Sequence, residues 1–203
     1  MIVPTREAVH EAAHAVVAEA VGLPVDAIVL TDGTNGIGGV CSHGYGADED
    51  EGPFEVPADV QDLPLPMWPD GLRNRVERIA LVVAAGTEGE RLAWRLKADQ
   101  HLAASPLPPA AEPRTVATLR ATVTARDADI SHDDEQLQHL AWLLSADPAV
   151  QVRLTRLWES EAARLVAQRT RQVVAIATEL VAAGGMTGDR VRQLCAGRPA
   201  DAH

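Results

Sequence analysis

The spacing of apolar positions changes along the chain, and each change marks an element. From about Thr5 to Val21 the pattern has helical period, with His10, His14, Val17 and Val21 recurring every three to four residues. Thr5 can cap this helix after Pro4, and Gly22 with Pro24 can end it. Val25–Thr31 is rich in β-formers, Asn35-Gly36 is a strong turn signal, and Ile37–His43 returns, which predicts a hairpin. Helical spacing resumes over about Gly71–Lys97. Further helices are expected over Thr115–Arg126 and Asp133–Leu144, then in one long helical region from Asp147-Pro148 to Ala183. Gly184-Gly185 stops that region, and a short helix, Thr187–Cys195, closes the fold.

Two stretches break the periodicity. Gly44–Pro69 is acidic and holds Asp48, Glu49, Asp50, Glu51, Glu55, Asp59 and Asp62; it reads as a long solvated loop, centred on residues 46–62. The second, residues 105–114, carries Pro106, Pro108, Pro109 and Pro113 and reads as a stiff linker. The expected organisation is one mainly α domain of α+β type over residues 1–198. Residues 1–104 hold the first helix, hairpin, acidic loop and second helix; residues 115–198 hold the later helices.

Composition narrows the class. Of 203 residues, 46% are apolar but only 3% aromatic, so the core is built from Ala, Val and Leu, which favours closely packed helices. A formal net charge of −11 argues against a non-specific grip on nucleic acid and against docking on anionic membranes. Two cysteines, Cys41 and Cys195, make no disulfide framework. No secretory h-region and no apolar run of membrane-spanning length is visible. The expectation is a cytoplasmic chain with no nucleic-acid or membrane partner.

The candidate chemistry lies in His10-Glu11-Ala12-Ala13-His14. Residues four apart on a helix share a face, so two imidazoles can bind one Zn²⁺ and leave room for a third protein ligand and a water. Glu11, next to the first ligand, can take a proton from that water. The bland alternative is a pair of structural histidines. Because both share the core-facing stripe, such a pair would need buried polar partners, a demand that a metal meets.

A third ligand must come from elsewhere. A metzincin-type third His would fall at Ala20, which excludes that pattern. Glu88 and Glu90 are candidates of the gluzincin type, although they read more simply as an exposed helix face. In the helix that buries Leu137, Leu140, Ala141 and Leu144, Asp133 falls within about 30° of the apolar face and Asp134 about 70° away. Ser131 and Asp134 fit a capping box, and Asp133 alternatively serves the helix dipole.

These motifs, in this order, resemble the peptidase domain of the FtsH-type AAA+ zinc proteases. The likeness runs loosely through Val9–Val17, Gly38–Val40, Ile79–Leu92, Ile130–Ala141 and Leu165–Leu194. It implies a helical, zincin-like peptidase domain with a small sheet packed on the motif helix. It also implies Zn²⁺ as cofactor, His10 and His14 as ligands, Glu11 as general base, and Asp133 as third ligand with Asp134 as the fallback. The strand containing Gly39, Val40 and Cys41 would pair with the backbone of a peptide or unfolded protein substrate. Ala13 stands where the family usually has Gly. The motif begins ten residues into the chain and no Gly-Lys-Ser/Thr phosphate loop occurs, so the expectation is a peptidase acting without its own ATPase. Two other readings stand beside it. One is a non-catalytic binding or adaptor module serving a separate ATPase or regulatory partner; the other is a zinc hydrolase of a non-peptide amide.

Overall fold

A computed structural model describes residues 4–33, 36–43, 67–99 and 133–197. The acidic stretch through residue 66, the Pro-rich linker, the helix expected over Thr115–Arg126 and the Ser131 cap lie outside the described residues. The elements are α1 (Arg6–Val21), β1 (Val25–Gly33), β2 (Gly36–His43), α2 (Asp70–Asp99), α3 (Asp133–Leu144), α4 (Pro148–Gln168), α5 (Thr170–Ala183), β3 (Gly185–Thr187) and α6 (Gly188–Cys195). The fold is mainly helical with one small antiparallel sheet, as the pattern predicts.

Helix α1 is the hub. The Thr5 hydroxyl accepts from the Ala8 amide at its start, and Gly22 ends it in the left-handed conformation, φ 76°. Ala8, Val9 and every residue from Glu11 to Ala18 are buried, so the helix is enclosed on nearly all sides. It packs against α2, α4, α5, α6 and both long strands. Its many alanines make that possible, because short side chains let neighbouring backbones approach. The closest approach is to α2 at Gly89. A Cβ there would lie 2.7 Å from both the Ala13 Cβ and the Val9 carbonyl oxygen. The room that Ala13 takes up on α1 is thus returned by a glycine on α2.

The sheet has the order β2-β1-β3, with all neighbours antiparallel. β1 and β2 pair from Val25↔His43 to Gly33↔Gly36, with a register shift between Val25 and Ala27. The third strand was not expected. β3 is three residues long and pairs Ile28 with Met186, too short to leave a period in the sequence. Gly188 follows it, at the start of α6, so close to β1 that a Cβ would lie 1.7 Å from the Val25 carbonyl oxygen.

The long helical region expected from Asp147-Pro148 to Ala183 is two helices. It starts as expected, with the Asp147 side chain accepting from the Ala149 amide and Pro148 in the first turn. It breaks at Arg169, where φ is −115° and ψ 21°. The stripe Trp158, Ala162, Leu165, Val166, Val173, Ile176, Ala177, Leu180 resumes two helical turns on, at Val173, so the break leaves no mark in the apolar pattern, and neither Gly nor Pro marks it. The packing supplies the reason: α4 lies mainly on α2, and α5 lies mainly on α1. One amphipathic stripe is therefore re-aimed between two partners by a single non-helical residue.

Candidate metal centre

Three elements converge on one point. His10 and His14 project from consecutive turns of α1. α2 crosses α1 at Gly86 and Gly89, and α3 brings its first residue, Asp133, to the same place. The donor atoms are close: His10 Nε2 and His14 Nε2 are 3.0 Å apart, and Asp133 Oδ2 is 3.2 Å from the first and 3.4 Å from the second. Among the described residues, this is the group of His, Cys, Asp and Glu side chains placed to hold a metal.

The geometry of that triangle fits a tetrahedral ion. Ligands about 2.0–2.1 Å from zinc at tetrahedral angles are about 3.3–3.4 Å from one another. The three edges here have nearly that length. The donor chemistry fits as well. Asp133 Oδ2 is buried without a hydrogen bond although both Nε2 atoms are within reach, so a charged oxygen stands orphaned at the centre. The third observation is the wall. A Cβ on Gly86 would lie 2.4 Å from Asp133 Oδ2, 2.5 Å from His10 Cε1 and 2.6 Å from His14 Nε2. The absent side chain leaves a cradle about as large as one ion.

The second ring nitrogens set which way the histidines face. His14 Nδ1–H donates to the Val82 carbonyl of α2 at 2.7 Å, which leaves its Nε2 lone pair for the centre. The rings of His10 and His14 meet edge to face, with centroids 4.6 Å apart. Burial lowers the His14 pKa, but the Asp133 carboxylate, Glu11 and the Val82 carbonyl outweigh it, and the group is pushed up to about 9. Burial raises the Asp133 pKa, but the two imidazoles hold it well below the usual carboxylate range. Both shifts have one origin: two imidazoles and a carboxylate enclosed together, where a bound proton does the neutralising that a cation can do.

Glu11 is buried beside the cluster, with Oε1 3.9 Å from His10 Nε2. Asp134 is exposed and outside the cluster, so of the two adjacent aspartates only Asp133 joins the histidines. Gly39, Val40 and Cys41 lie on β2, paired with Leu30, Val29 and Ile28 of β1. β2 packs against α1 and is the outer strand of the sheet, with no strand on its other side among the described residues.

The expectation that Glu88 and Glu90 form an exposed helix face is corrected. Glu88 is buried, 5% exposed, and pairs with Arg91. Glu90 is partly buried, pairs with Arg6, and places Oε1 3.3 Å from His10 Nδ1. Neither belongs to the donor triangle. The packing of α2 on α1 explains the position of Glu90, since residues 86, 89 and 90 share the face that meets the motif helix. Gly86 and Val82 are the contributors that pattern-reading missed, and Glu90 is a candidate that it set aside as an exposed face. The available signal was a pair of glycines three apart inside a helix, which costs stability unless close packing or a site requires it.

No family model matches this chain, and no curated protein matches it at a significant level.

Proposed function

We propose that this protein is a zinc-dependent metallopeptidase of the FtsH-type peptidase kind, acting on unfolded or flexible polypeptide. The observation that carries the reading is the convergence of His10 Nε2, His14 Nε2 and Asp133 Oδ2 on the Gly86 cradle, with the Glu11 carboxylate next to it. A zinc ion held there supplies Lewis acidity, polarising the scissile carbonyl and bringing the pKa of a bound water towards about 7.

The chain's own groups do the rest. Glu11 accepts one proton from the water whose oxygen adds to the carbonyl carbon. It returns that proton to the amine nitrogen as the C–N bond breaks, so the carboxylate is regenerated. Its burial keeps bulk water from competing for the proton and strengthens its interaction with the site. The Val82 carbonyl holds His14 in the tautomer that a ligand needs. β2 offers its outer edge, at Gly39, Val40 and Cys41, for an extended substrate to add as a further strand through backbone hydrogen bonds. Strand addition requires a segment free of its own secondary structure, which favours termini and unfolded chains. With no Gly-Lys-Ser/Thr phosphate loop in the sequence, cleavage by this chain is expected without nucleotide.

The test pairs metal content with cleavage of an unstructured protein. Glu11→Gln is nearly isosteric and leaves the three donors in place, so zinc is retained while cleavage falls by about 10²–10⁴-fold, the usual contribution of a general base. Cleavage by that variant at the wild-type rate overturns the role of Glu11.

A further inference from the structure

The two histidines are not supported alike. His14 is anchored through Nδ1 to a backbone carbonyl, a partner that cannot move away. His10 has no such anchor. Its Nδ1 atom is buried and forms no hydrogen bond, yet the Glu90 carboxylate stands 3.3 Å away through Oε1. The other oxygen of that carboxylate, Oε2, is gripped by the Arg6 guanidinium. Arg6 lies one helical turn before His10 on α1, and Glu90 lies one turn after Gly86 on α2. The same helix crossing that builds the cradle therefore stacks an Arg–Glu pair over the back of one ligand.

We propose that Glu90, held by Arg6, is the positioning residue of His10. A carboxylate at Nδ1 favours the ring tautomer with its proton on Nδ1, which turns the Nε2 lone pair towards Asp133 Oδ2 and His14 Nε2. A small rotation of the ring completes an Nδ1–H···Oε1 hydrogen bond, satisfying the orphaned nitrogen. Arg6 fixes which oxygen faces the ring and keeps the carboxylate from swinging away; it also occupies Oε2, so Glu90 stays behind the ligand and out of the donor triangle. Partners of this kind raise ligand basicity, and their loss commonly costs 10–100-fold in metal affinity. The inference rests on the proposed zinc site for its consequence, although the contact itself is independent of any ion.

The experiment measures zinc affinity by competition with a chromophoric chelator for wild type, Glu90→Ala, Glu90→Gln and Arg6→Ala. Beside it, histidine-ring ¹⁵N NMR of the metal-free proteins at alkaline pH reads the His10 tautomer. Glu90→Ala is expected to weaken zinc binding by about 10–100-fold. Glu90→Gln, which keeps an acceptor, is expected to recover most of that loss, and Arg6→Ala to fall between. The Co²⁺-substituted protein should show a shifted visible spectrum in Glu90→Ala, which a merely structural role would not produce. Unchanged zinc affinity in Glu90→Ala overturns the proposal. If wild type takes up no zinc, the metallopeptidase reading falls and the tautomer decides on Glu90 separately. A ring protonated at Nδ1 in wild type and redistributed to Nε2 in Glu90→Ala upholds the positioning role, and an unchanged distribution overturns it.

Discussion

Replacing Gly86 with alanine adds one methyl group at the point where α1, α2 and α3 meet. On the backbone as it stands, that carbon lies 2.4, 2.5 and 2.6 Å from Asp133 Oδ2, His10 Cε1 and His14 Nε2. Ordinary carbon contacts begin near ~3.5 Å, so the methyl is about 1 Å too close to all three groups at once. Metal sites tolerate donor displacements of roughly ±0.2 Å. Relief therefore requires either that the donors spread by several times that tolerance or that α2 retreat from α1, which the Gly89–Ala13 contact opposes. The methyl also takes the place an ion would occupy. Overpacking of this size costs about 1–3 kcal/mol, offset by the ~1 kcal/mol that alanine gains over glycine inside a helix.

The expected phenotype is a folded protein that has lost its metal. Helical circular dichroism is retained, the melting temperature of the metal-free protein changes by only a few degrees, and zinc affinity drops by at least about a hundredfold, since at least one metal–donor bond is lost. Chelator competition measures the affinity, and thermal unfolding with excess chelator measures the fold. Wild-type zinc affinity in a folded Gly86→Ala protein would mean that the cradle is not where the ion sits.

Three further outcomes follow from the packing and the charges. Gly188→Ala faces a backbone carbonyl 1.7 Å away, with no flexible side chain to yield. It should separate α6 from β1 and destabilise the protein by about 3 kcal/mol or more, read as a lower urea midpoint; a midpoint equal to wild type rules this out. In the metal-free protein, the raised His14 pKa and the lowered Asp133 pKa both stabilise the fold while the pair is charged. That contribution is complete from above the ordinary Asp value, 3.8, to below the ordinary His value, 6.5, and is lost as pH rises through about 9. The melting temperature with chelator should therefore fall between pH 6.5 and pH 9, and this fall should be smaller in Asp133→Ala; an equal fall in both proteins would contradict the assignment. Zinc affinity should rise over the same range, because protons compete for the same atoms.

The parts of the fold that a sequence displays are those with a local cause. Thr5 and Gly22 bound α1, Asp147-Pro148 opens α4, and Gly184, φ 72°, closes α5. Each acts through its own backbone or side chain. The placement of Asp133 was legible for a similar reason, since a helical angle fixed by Leu137, Leu140, Ala141 and Leu144 points its side chain inward while Asp134 points out. What was hidden depends on partners distant in the chain. The break at Arg169 exists because α4 and α5 lie on different helices, and it leaves no mark in the apolar pattern. β3 exists because β1 has a free edge to pair with. Glu90 reads as a solvated charge because its cover, α1, lies some eighty residues away. The glycines at 86 and 89 held the clue, since two such costs within one helix call for a close neighbour.

The claim on which the rest depends is that His10, His14 and Asp133 together hold zinc. Its most direct test is metal analysis of wild type beside Asp133→Ala and Asp134→Ala, each dialysed against the same zinc buffer. One zinc per chain is expected in wild type and in Asp134→Ala, with little or none in Asp133→Ala. Full zinc in Asp133→Ala, or none in wild type, would contradict it.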